Sequence, residues 1–266
     1  MDLEHPKKYN SQELDNSFLW KYLDIFKLIS LISTKEIHFT RFDKLDDGLE
    51  GLTYEAIKLM LRTQNPPSTR DSLKHLGTDD NNINFIIQEE QEIRKKLEYE
   101  IYCSQKTQFV SCWFLNNKES LAMWNIYSEK NGVALKFKAK PLVETIIASA
   151  KSYTNSDFEK MYYGKVDYKN LWPYDENETC DGKFNGLKKD NSYNHENEFR
   201  FVTVVKGKHA GIHSNFKLPI SDIKNFDLEI ISNPYIKDWQ YKSLEHLLSK
   251  FGLENKLRPS DMKVNY

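Results

Sequence analysis

Cysteine is scarce in this chain of 266 residues, which has only Cys103, Cys112 and Cys180. The number is odd, and the cysteines form no CxxC pair and have no histidines at the spacing of a zinc finger. Both observations argue against a disulfide framework and against a structural zinc site, so we expect no bound metal. Buried or unreactive thiols in a reducing cytoplasm are the simplest interpretation of these three positions.

Long apolar runs are also missing. The most apolar early stretch, residues 18–32, is interrupted by Lys21, Asp24 and Lys27. Three charges in that window are incompatible with an ordinary membrane-spanning helix of about 20 apolar residues. The first residues lack the basic-then-apolar layout of a secretory signal. We therefore expect a soluble, cytoplasmic protein that does not contact a membrane.

Net charge is nearly absent as well, because 38 basic and 39 acidic side chains leave a formal charge of −1. Such a balance gives no global argument for binding nucleic acid or a membrane surface. The chain has no Walker-type loop and no GxGxxG, HExxH or GxSxG pattern. Kinases, classical dehydrogenases, zincins and serine hydrolases therefore have no positive support.

The periodicity of apolar residues predicts an α+β fold. Residues 13–33 have the three- and four-residue spacing of a helix, and residues 36–42, 107–115 and 196–205 have the composition of strands. Helices and strands do not alternate regularly, so we predict one domain over residues 1–266 with mixed or antiparallel sheets flanked by helices. Residues 64–82, which are rich in Pro, Asp and Asn, are expected to form a loop-rich insert.

The segment from His195 to Val205 is the most informative part of the sequence. Alternation along a strand would place Glu196, Glu198 and Arg200 on one face. Same-face neighbours on a strand are about 7 Å apart, so one ligand could touch two of them. A polar cleft is one interpretation. The other is a solvated edge strand that carries a surface pair between Glu198 and Arg200.

Two earlier strands carry further candidate residues. Arg41 continues the apolar row of residues 37 and 39, and a buried guanidinium needs an anionic partner or ligand. His38 is equally well placed on the opposite face, and the alternative is that Arg41 reaches water at the strand end. Ser111 lies between Phe109 and Trp113 in an aromatic row, where a small residue admits either a ligand or close packing.

The block from Leu121 to Tyr127 places Trp124 and Tyr127 three residues apart on a predicted helix. Aromatic residues at that spacing most often pack into a core. They can also stack on the ring of a ligand, so both remain candidates for a binding site.

Several blocks, in this order, resemble the bacterial domain of unknown function 2971 over about residues 19–265. The chain departs from the family pattern at Asp46 and Gly48, and Tyr193 stands where the family usually has Trp. The resemblance implies a bacterial protein often found in mobile or phage-defence settings, and it implies no particular activity. The matching blocks are Leu19-Trp-Lys-Tyr22, Leu45-Asp-Asp-Gly-Leu-Glu50, Ser111-Cys112, Met123-Trp-Asn-Ile-Tyr127, Gly132-Val-Ala-Leu-Lys-Phe137, Val166-Asp-Tyr168, Glu196-Asn-Glu-Phe-Arg200 and Phe226-Asp-Leu-Glu-Ile-Ile-Ser-Asn-Pro234.

The order of Arg41, Ser111 and Glu196-Asn-Glu198 on three predicted strands also resembles the ADP-ribosyltransferases of the Arg–Ser–Glu type. That resemblance implies a split β-sandwich and NAD as the substrate. Glu198 would bond the nicotinamide ribose and stabilise its oxocarbenium-like charge, and Glu196 would orient the acceptor.

The same resemblance implies roles for the other candidates. Arg41 would hold a phosphate or the ribose, or His38 would replace it in a site of the His–Tyr–Glu type. Ser111 would brace the strands around the ribose, and Arg200 would support Glu198. Trp113 or Tyr127 would stack on nicotinamide, with Trp124 as a further candidate for the pocket.

Three function classes therefore stay open. The leading expectation is an NAD-dependent ADP-ribosyltransferase-like enzyme, a toxin or defence effector with a protein or nucleic-acid acceptor and an antitoxin or defence partner. The second is a non-catalytic binding or sensor module, in which the charges form a structural ion network. The third is a metal-dependent nuclease that uses Asp46, Asp47, Glu50 and Glu198. For Asp46 and Asp47, turn chemistry is the simpler explanation.

Overall fold

The computed structural model of the chain describes residues 1–6, 10–54, 56–57, 60, 70–170 and 182–263. Ten of the strands described form one sheet, in which eight follow the order β1-β6-β9-β4-β2-β5-β11-β12. The other two are β3, which also pairs with β4, and β10, which pairs with β3. A separate pair joins β7 and β8. The strands are β1 Asp2–Glu4, β2 Phe18–Leu23, β3 Glu36–Arg41, β4 Gln108–Leu115, β5 Val133–Lys138, β6 Phe158–Lys165, β7 Asp167–Lys169, β8 Lys188–Asp190, β9 Glu198–Val205, β10 Asn215–Pro219, β11 Leu228–Ser232 and β12 Leu257–Arg258.

The sheet is mixed. The pairs β1–β6 and β11–β12 are parallel, whereas β4 is antiparallel to each of its neighbours β9, β2 and β3. The predicted α+β class, with mixed sheets flanked by helices, is therefore confirmed. The single domain over residues 1–266 stays a prediction.

The α-helices of the described ranges cover both faces of the sheet. On one face, α1, α5 and α6 pack with Leu28, Ile146 and Leu248 against the largest apolar core. On the other face, α4 places Met123 and Trp124 in a smaller aromatic core. The helices are α1 Ile25–Thr34, α2 Arg70–His75, α3 Asp80–Lys106, α4 Leu121–Tyr127, α5 Ala139–Lys151 and α6 Asp238–Ser249.

Strand β4 is forked along one edge. Phe114 and Leu115 pair with β2, whereas Phe109 and Val110 pair with β3. Residues 111–113 therefore face a gap between the two strands, which we call the fork. Lys21 fills it, because its Nζ donates to the carbonyl of Cys112 at 2.7 Å and to Ser111 Oγ at 3.3 Å.

The predicted helix over residues 13–33 is wrong in its first half. Residues 18–23 form β2, and the helix begins only after Asp24, whose carboxylate caps the amide of Lys27 at 2.8 Å. Strand β2 lies between β4 and β5, so it is buried on both faces. An apolar run buried on both faces has no period that distinguishes a strand from a helix.

The predicted loop-rich insert over residues 64–82 is also corrected at its end. Arg70–His75 is a helix, and Asp80 begins α3 with Asp79 as its cap. Asp and Asn at a helix start act as caps, so their clustering was a helix signal as well as a loop signal. Residues 64–69 lie outside the described ranges. None of the helices described is long and apolar enough to span a membrane.

Candidate active site

Five charged side chains from four segments meet on the face of the sheet that carries α4, and we call them the charged cluster. Arg200 donates to both oxygens of Glu198, from Nε at 2.8 Å and from Nη2 at 2.7 Å. Lys189 Nζ lies 3.0 Å from Glu50, 2.6 Å from Glu196 and 3.1 Å from Glu198. Glu50 Oε2 lies 2.6 Å from Arg200 Nη1 without hydrogen-bond alignment, so that contact is an ion pair only.

The cluster is buried, although all five members are charged residue types. Arg200 is 0% exposed, and the other four members are each between 3% and 5% exposed. The interpretation of residues 196–205 as a solvated edge strand is therefore wrong. Strand β9 lies between β4 and β6, and its charges are buried because they pair with one another.

Glu196 reaches the cluster by a different route from the predicted one. It ends the 3₁₀ turn Asn191–Glu196, and Asn197 then adopts a left-handed conformation with φ 37° before β9 begins at Glu198. Asparagine tolerates that conformation better than most residues. The reversal at Asn197 brings both carboxylates to Lys189 even though Glu196 is outside the strand.

The pKa values of the two acids are pushed apart. Burial by itself would raise the pKa of Glu198, but the positive charge of Arg200 and its hydrogen bonds outweigh burial and hold that pKa well below its usual range. Burial raises the pKa of Glu196, and its hydrogen bond with Glu198 raises it further. Glu198 is therefore ionised, and Glu196 is the member of the pair that gains a proton first.

Two tyrosines border the acid pair. Tyr127 donates its hydroxyl to Glu196 at 2.8 Å, and its side chain is 42% exposed, so it connects the cluster to the surface. Tyr168 accepts from the amide of Glu198 at 2.9 Å. Burial raises the pKa of both phenols, and the charge of the nearby glutamates adds to this effect. Both are therefore neutral hydrogen-bonding groups at ordinary pH.

An aromatic core lies beside the charged cluster on the same face. Glu198 pairs across the sheet with Phe114, and Phe114 pairs with Trp20, so the three side chains share that face. Tyr22 packs edge-on against Trp124 with ring centroids 4.9 Å apart. Trp124 is buried and donates its indole N–H to Glu119 at 2.8 Å, so the core-packing interpretation holds for it in this structure.

The structure does not bring Arg41 to Glu198, contrary to the expectation from the order of the strands. Arg41 pairs with Phe109 and Glu198 pairs with Phe114, five positions apart on β4, or about 17 Å. An odd separation also places them on opposite faces of the sheet. Arg41 instead donates to Asp43 at 2.6 and 2.9 Å and to the carbonyl of His213 at 2.7 Å.

Ser111 and Trp113 lie on the face opposite the charged cluster. Both are buried, and Trp113 donates its indole N–H to Ser111 Oγ at 3.1 Å. Lys21 Nζ also donates to Ser111 Oγ, so this hydroxyl has its partners within the fork. His38 lies on β3 opposite Lys217 of β10, and the partial burial of its ring and the charge of Lys217 lower its pKa. No described contact joins His38, Ser111 or Trp113 to the acid pair.

The residues expected for a nuclease are not arranged around a free metal position. Glu50 and Glu198 do come together, but Arg200 and Lys189 occupy the space between them. Asp47 accepts from the amide of Leu49 at 3.0 Å, which is the expected turn chemistry. Asp46 is exposed.

Sequence reasoning missed Lys189 and Lys21. Lys189 stands in the short strand β8 without any motif, and only the folding of that strand over β9 brings it between three carboxylates. In the predicted helix over residues 13–33, Lys21 is one of three charges that interrupt the apolar run. The alternation of β2 carries the only signal, since Lys21 lies in the same row as the apolar residues Leu19 and Leu23.

The comparisons with known proteins bear on the family alone. No curated protein and no solved structure matched the chain. One family model matched residues 123–201, a shorter span than the residues 19–265 expected from the motifs, and it includes four of the five members of the charged cluster. Residues 123–201 of the chain are similar to the family described as Protein of unknown function (DUF2971).

Proposed function

We propose that the chain is a cytoplasmic, ADP-ribosyltransferase-like enzyme that breaks the bond between nicotinamide and ribose in NAD. The observation that carries the proposal is the adjacent pair Glu196 and Glu198, whose pKa values are shifted in opposite directions. Two carboxyl groups with pKa values pushed apart are the arrangement that many acid–base enzymes use to give each group a different role. Structural ion networks also shift pKa values, so the test below separates the two.

Each acid has a definite role in this reaction. The bond between the ribose carbon and the nicotinamide nitrogen breaks, and neutral nicotinamide leaves with the electron pair. Glu198, which stays ionised, stabilises the positive charge that develops on the ribose. Glu196 accepts the proton of the incoming nucleophile, which is water or a hydroxyl of the macromolecular acceptor, and its raised pKa makes it the stronger base of the pair.

The other members of the cluster are positioning residues. Arg200 holds Glu198 by two hydrogen bonds, which fixes the direction of its carboxylate. Lys189 bonds both acids and keeps them close together despite their like charges. Tyr127 is the half-exposed aromatic residue at Glu196, and its ring is the surface on which nicotinamide would stack.

This proposal moves the expected NAD site away from Arg41. Strand β2, and not β3, lies beside β4 at the end where Glu198 stands, so Trp20 and Tyr22 occupy the first-strand position on that face. A split β-sandwich with NAD on this face is the arrangement that the proposal requires. A defence role with an antitoxin or defence partner fits the family setting.

A binding or sensor module without catalysis is the second candidate. The observation that favours it is that each carboxylate of the charged cluster is buried and already paired with Lys189 or Arg200. In that case the five charges stabilise the contact between the 182–196 segment and β9, and the cleft for a ribose is absent.

The test is the release of nicotinamide from NAD by the purified chain and by Glu198→Gln, with isothermal titration of NAD into both. We expect the parent to release nicotinamide and Glu198→Gln to lose roughly 100-fold or more of the rate with NAD binding retained. Glu229→Gln, a change at a half-exposed residue paired with Lys136 and outside the charged cluster, is the matched control and should match the parent.

Equal rates for the parent and Glu198→Gln would overturn the role of Glu198. Absence of both nicotinamide release and NAD binding in the parent would favour the binding module. Circular dichroism of both variants separates loss of activity from loss of folding.

A further inference from the structure

We propose that Asp157, His209 and His213 form a binding site for a divalent transition-metal cation. His213 Nε2 lies 3.1 Å from Asp157 Oδ2, and His209 Nε2 lies 3.5 Å from Asp157 Oδ1. One ligand atom from each residue lies within 4.8 Å of the other two, which is the spacing of atoms around a shared ion. In the described part of the chain this is the one such group of His, Cys, Asp and Glu.

The loop that carries the two histidines is held in place from several sides. Arg41 Nη1 donates to the carbonyls of Gly211 and His213, at 3.2 and 2.7 Å. Tyr102 donates its hydroxyl to the carbonyl of Ala210 at 2.9 Å, and the amide of Lys206 donates to the carbonyl of Asp157 at 3.1 Å. The three donor groups are therefore preorganised, which lowers the cost of binding an ion.

The buried guanidinium of Arg41 holds the loop that carries the two histidines, which explains why it is buried. The sequence suggested an anionic ligand for it, and the structure provides Asp43 together with the loop carbonyls. The ring of His213 packs against Phe158 with centroids 5.1 Å apart, which orients its Nε2 toward Asp157. Fixing the ring orientation of a histidine is a common feature of metal sites.

The donor set indicates which cations the site would take. Two imidazole nitrogens and one carboxylate suit Zn²⁺ and its neighbours among the transition metals, whereas Mg²⁺ and Ca²⁺ prefer sites made of oxygen atoms alone. The three side chains are between 21% and 32% exposed, so an ion could enter from solvent. Three protein ligands leave a coordination position for water or another small ligand.

The site is separate from the charged cluster. Phe158 follows Asp157 and pairs with Val205, whereas Glu198 stands at the opposite end of β9, seven residues or about 24 Å away. The metal proposal therefore does not depend on NAD chemistry, and either proposal can fail without the other.

The experiment is titration of Zn²⁺ into the full chain after treatment with a chelator, measured by calorimetry and by thermal unfolding. We expect one Zn²⁺ per chain and a midpoint temperature that rises with Zn²⁺ concentration, because an ion that binds only the folded state stabilises it. Substitution with Co²⁺ should give a visible absorption band that disappears when Zn²⁺ is added.

Two variants and a control identify the ligands. Asp157→Asn and His209→Ala should each weaken Zn²⁺ binding by about 100-fold, since each removes one of three protein ligands. His246→Ala, at an exposed histidine on α6, should bind as the parent does. The proposal is overturned if the folded parent binds no Zn²⁺, or if Asp157→Asn and His209→Ala bind it as tightly as His246→Ala does.

Discussion

Arg200 is the residue on which the charged cluster depends most. It is fully buried, and it contacts the carboxylates of Glu198 and Glu50. Its Nη1 also donates to the carbonyl of Gly186 at 3.1 Å. Among side chains, only the guanidinium of arginine can donate hydrogen bonds to three partners in one fixed plane while carrying a charge. Lysine at this position would keep the charge but lose the paired hydrogen bonds to Glu198.

Replacing Arg200 by alanine should lower the free energy of unfolding by about 3–5 kcal/mol, because Glu50 and Glu198 would keep one shared cation, Lys189, for their two buried charges. Urea unfolding of the variant and the parent measures this difference. Lys138→Ala, which removes the exposed partner of Asp227, is the control and should leave the free energy of unfolding nearly unchanged. Equal losses in the two variants would contradict the central role of Arg200.

At the scale of elements, the turn Gly182–Leu187 closes over β9 and completes the cluster. The amide of Gly186 donates to Tyr162 Oη at 3.0 Å, and its carbonyl accepts from Arg200. A Cβ at Gly186 would lie 2.7 Å from Phe42 Cζ and 2.7 Å from Tyr162 Oη. The close approach of this backbone to two buried aromatic rings therefore requires glycine.

Gly186→Ala should lower the free energy of unfolding by about 1–3 kcal/mol, because the added methyl group has no room between Phe42 and Tyr162. Denaturant unfolding is the measurement. Gly207→Ala is the matched control, since a Cβ there meets nothing within 4 Å, and it should leave stability nearly unchanged. If Gly186→Ala is as stable as Gly207→Ala, the turn does not pack as described.

For the whole molecule, the opposed pKa shifts of the acid pair predict how stability depends on pH. The pKa of Glu198 is lower in the folded state than its unfolded value of about 4.3, so its contribution is present above that pH and is lost as pH falls. The pKa of Glu196 is raised, so its contribution is present below about pH 4.3 and is lost as pH rises through the folded pKa.

We therefore expect the parent to lose stability steeply on acidification below about pH 4.3, and Glu198→Gln to lose less over the same range. Urea unfolding from pH 7 to pH 3 measures both slopes. Glu229→Gln should follow the parent, because the side chain of Glu229 is half-exposed and lies outside the charged cluster. Parallel pH curves for the parent and Glu198→Gln would show that Glu198 is not held ionised by Arg200.

Local patterns in the sequence were sufficient to predict the α+β class, the strands β4 and β9, and the placement of Glu198 and Arg200 on one face of β9. Alternation along β9 and its β-branched and aromatic residues are properties of neighbouring positions, so they can be recognised without knowing the fold. The family motifs are local in the same sense, and the match over residues 123–201 confirms them there.

Which residues meet depends on contacts between distant parts of the chain. Glu50 and Lys189 reach Arg200 because separate segments fold over the same strand, and Arg41 misses Glu198 because β3 and β2 occupy different halves of β4. The order of residues along the chain does not determine which strands are adjacent in the sheet. It also does not determine which side chains of an adjacent strand lie on the same face. Burial and the neighbouring charges set the pKa values of the acid pair, and both arise only when the sheet has formed.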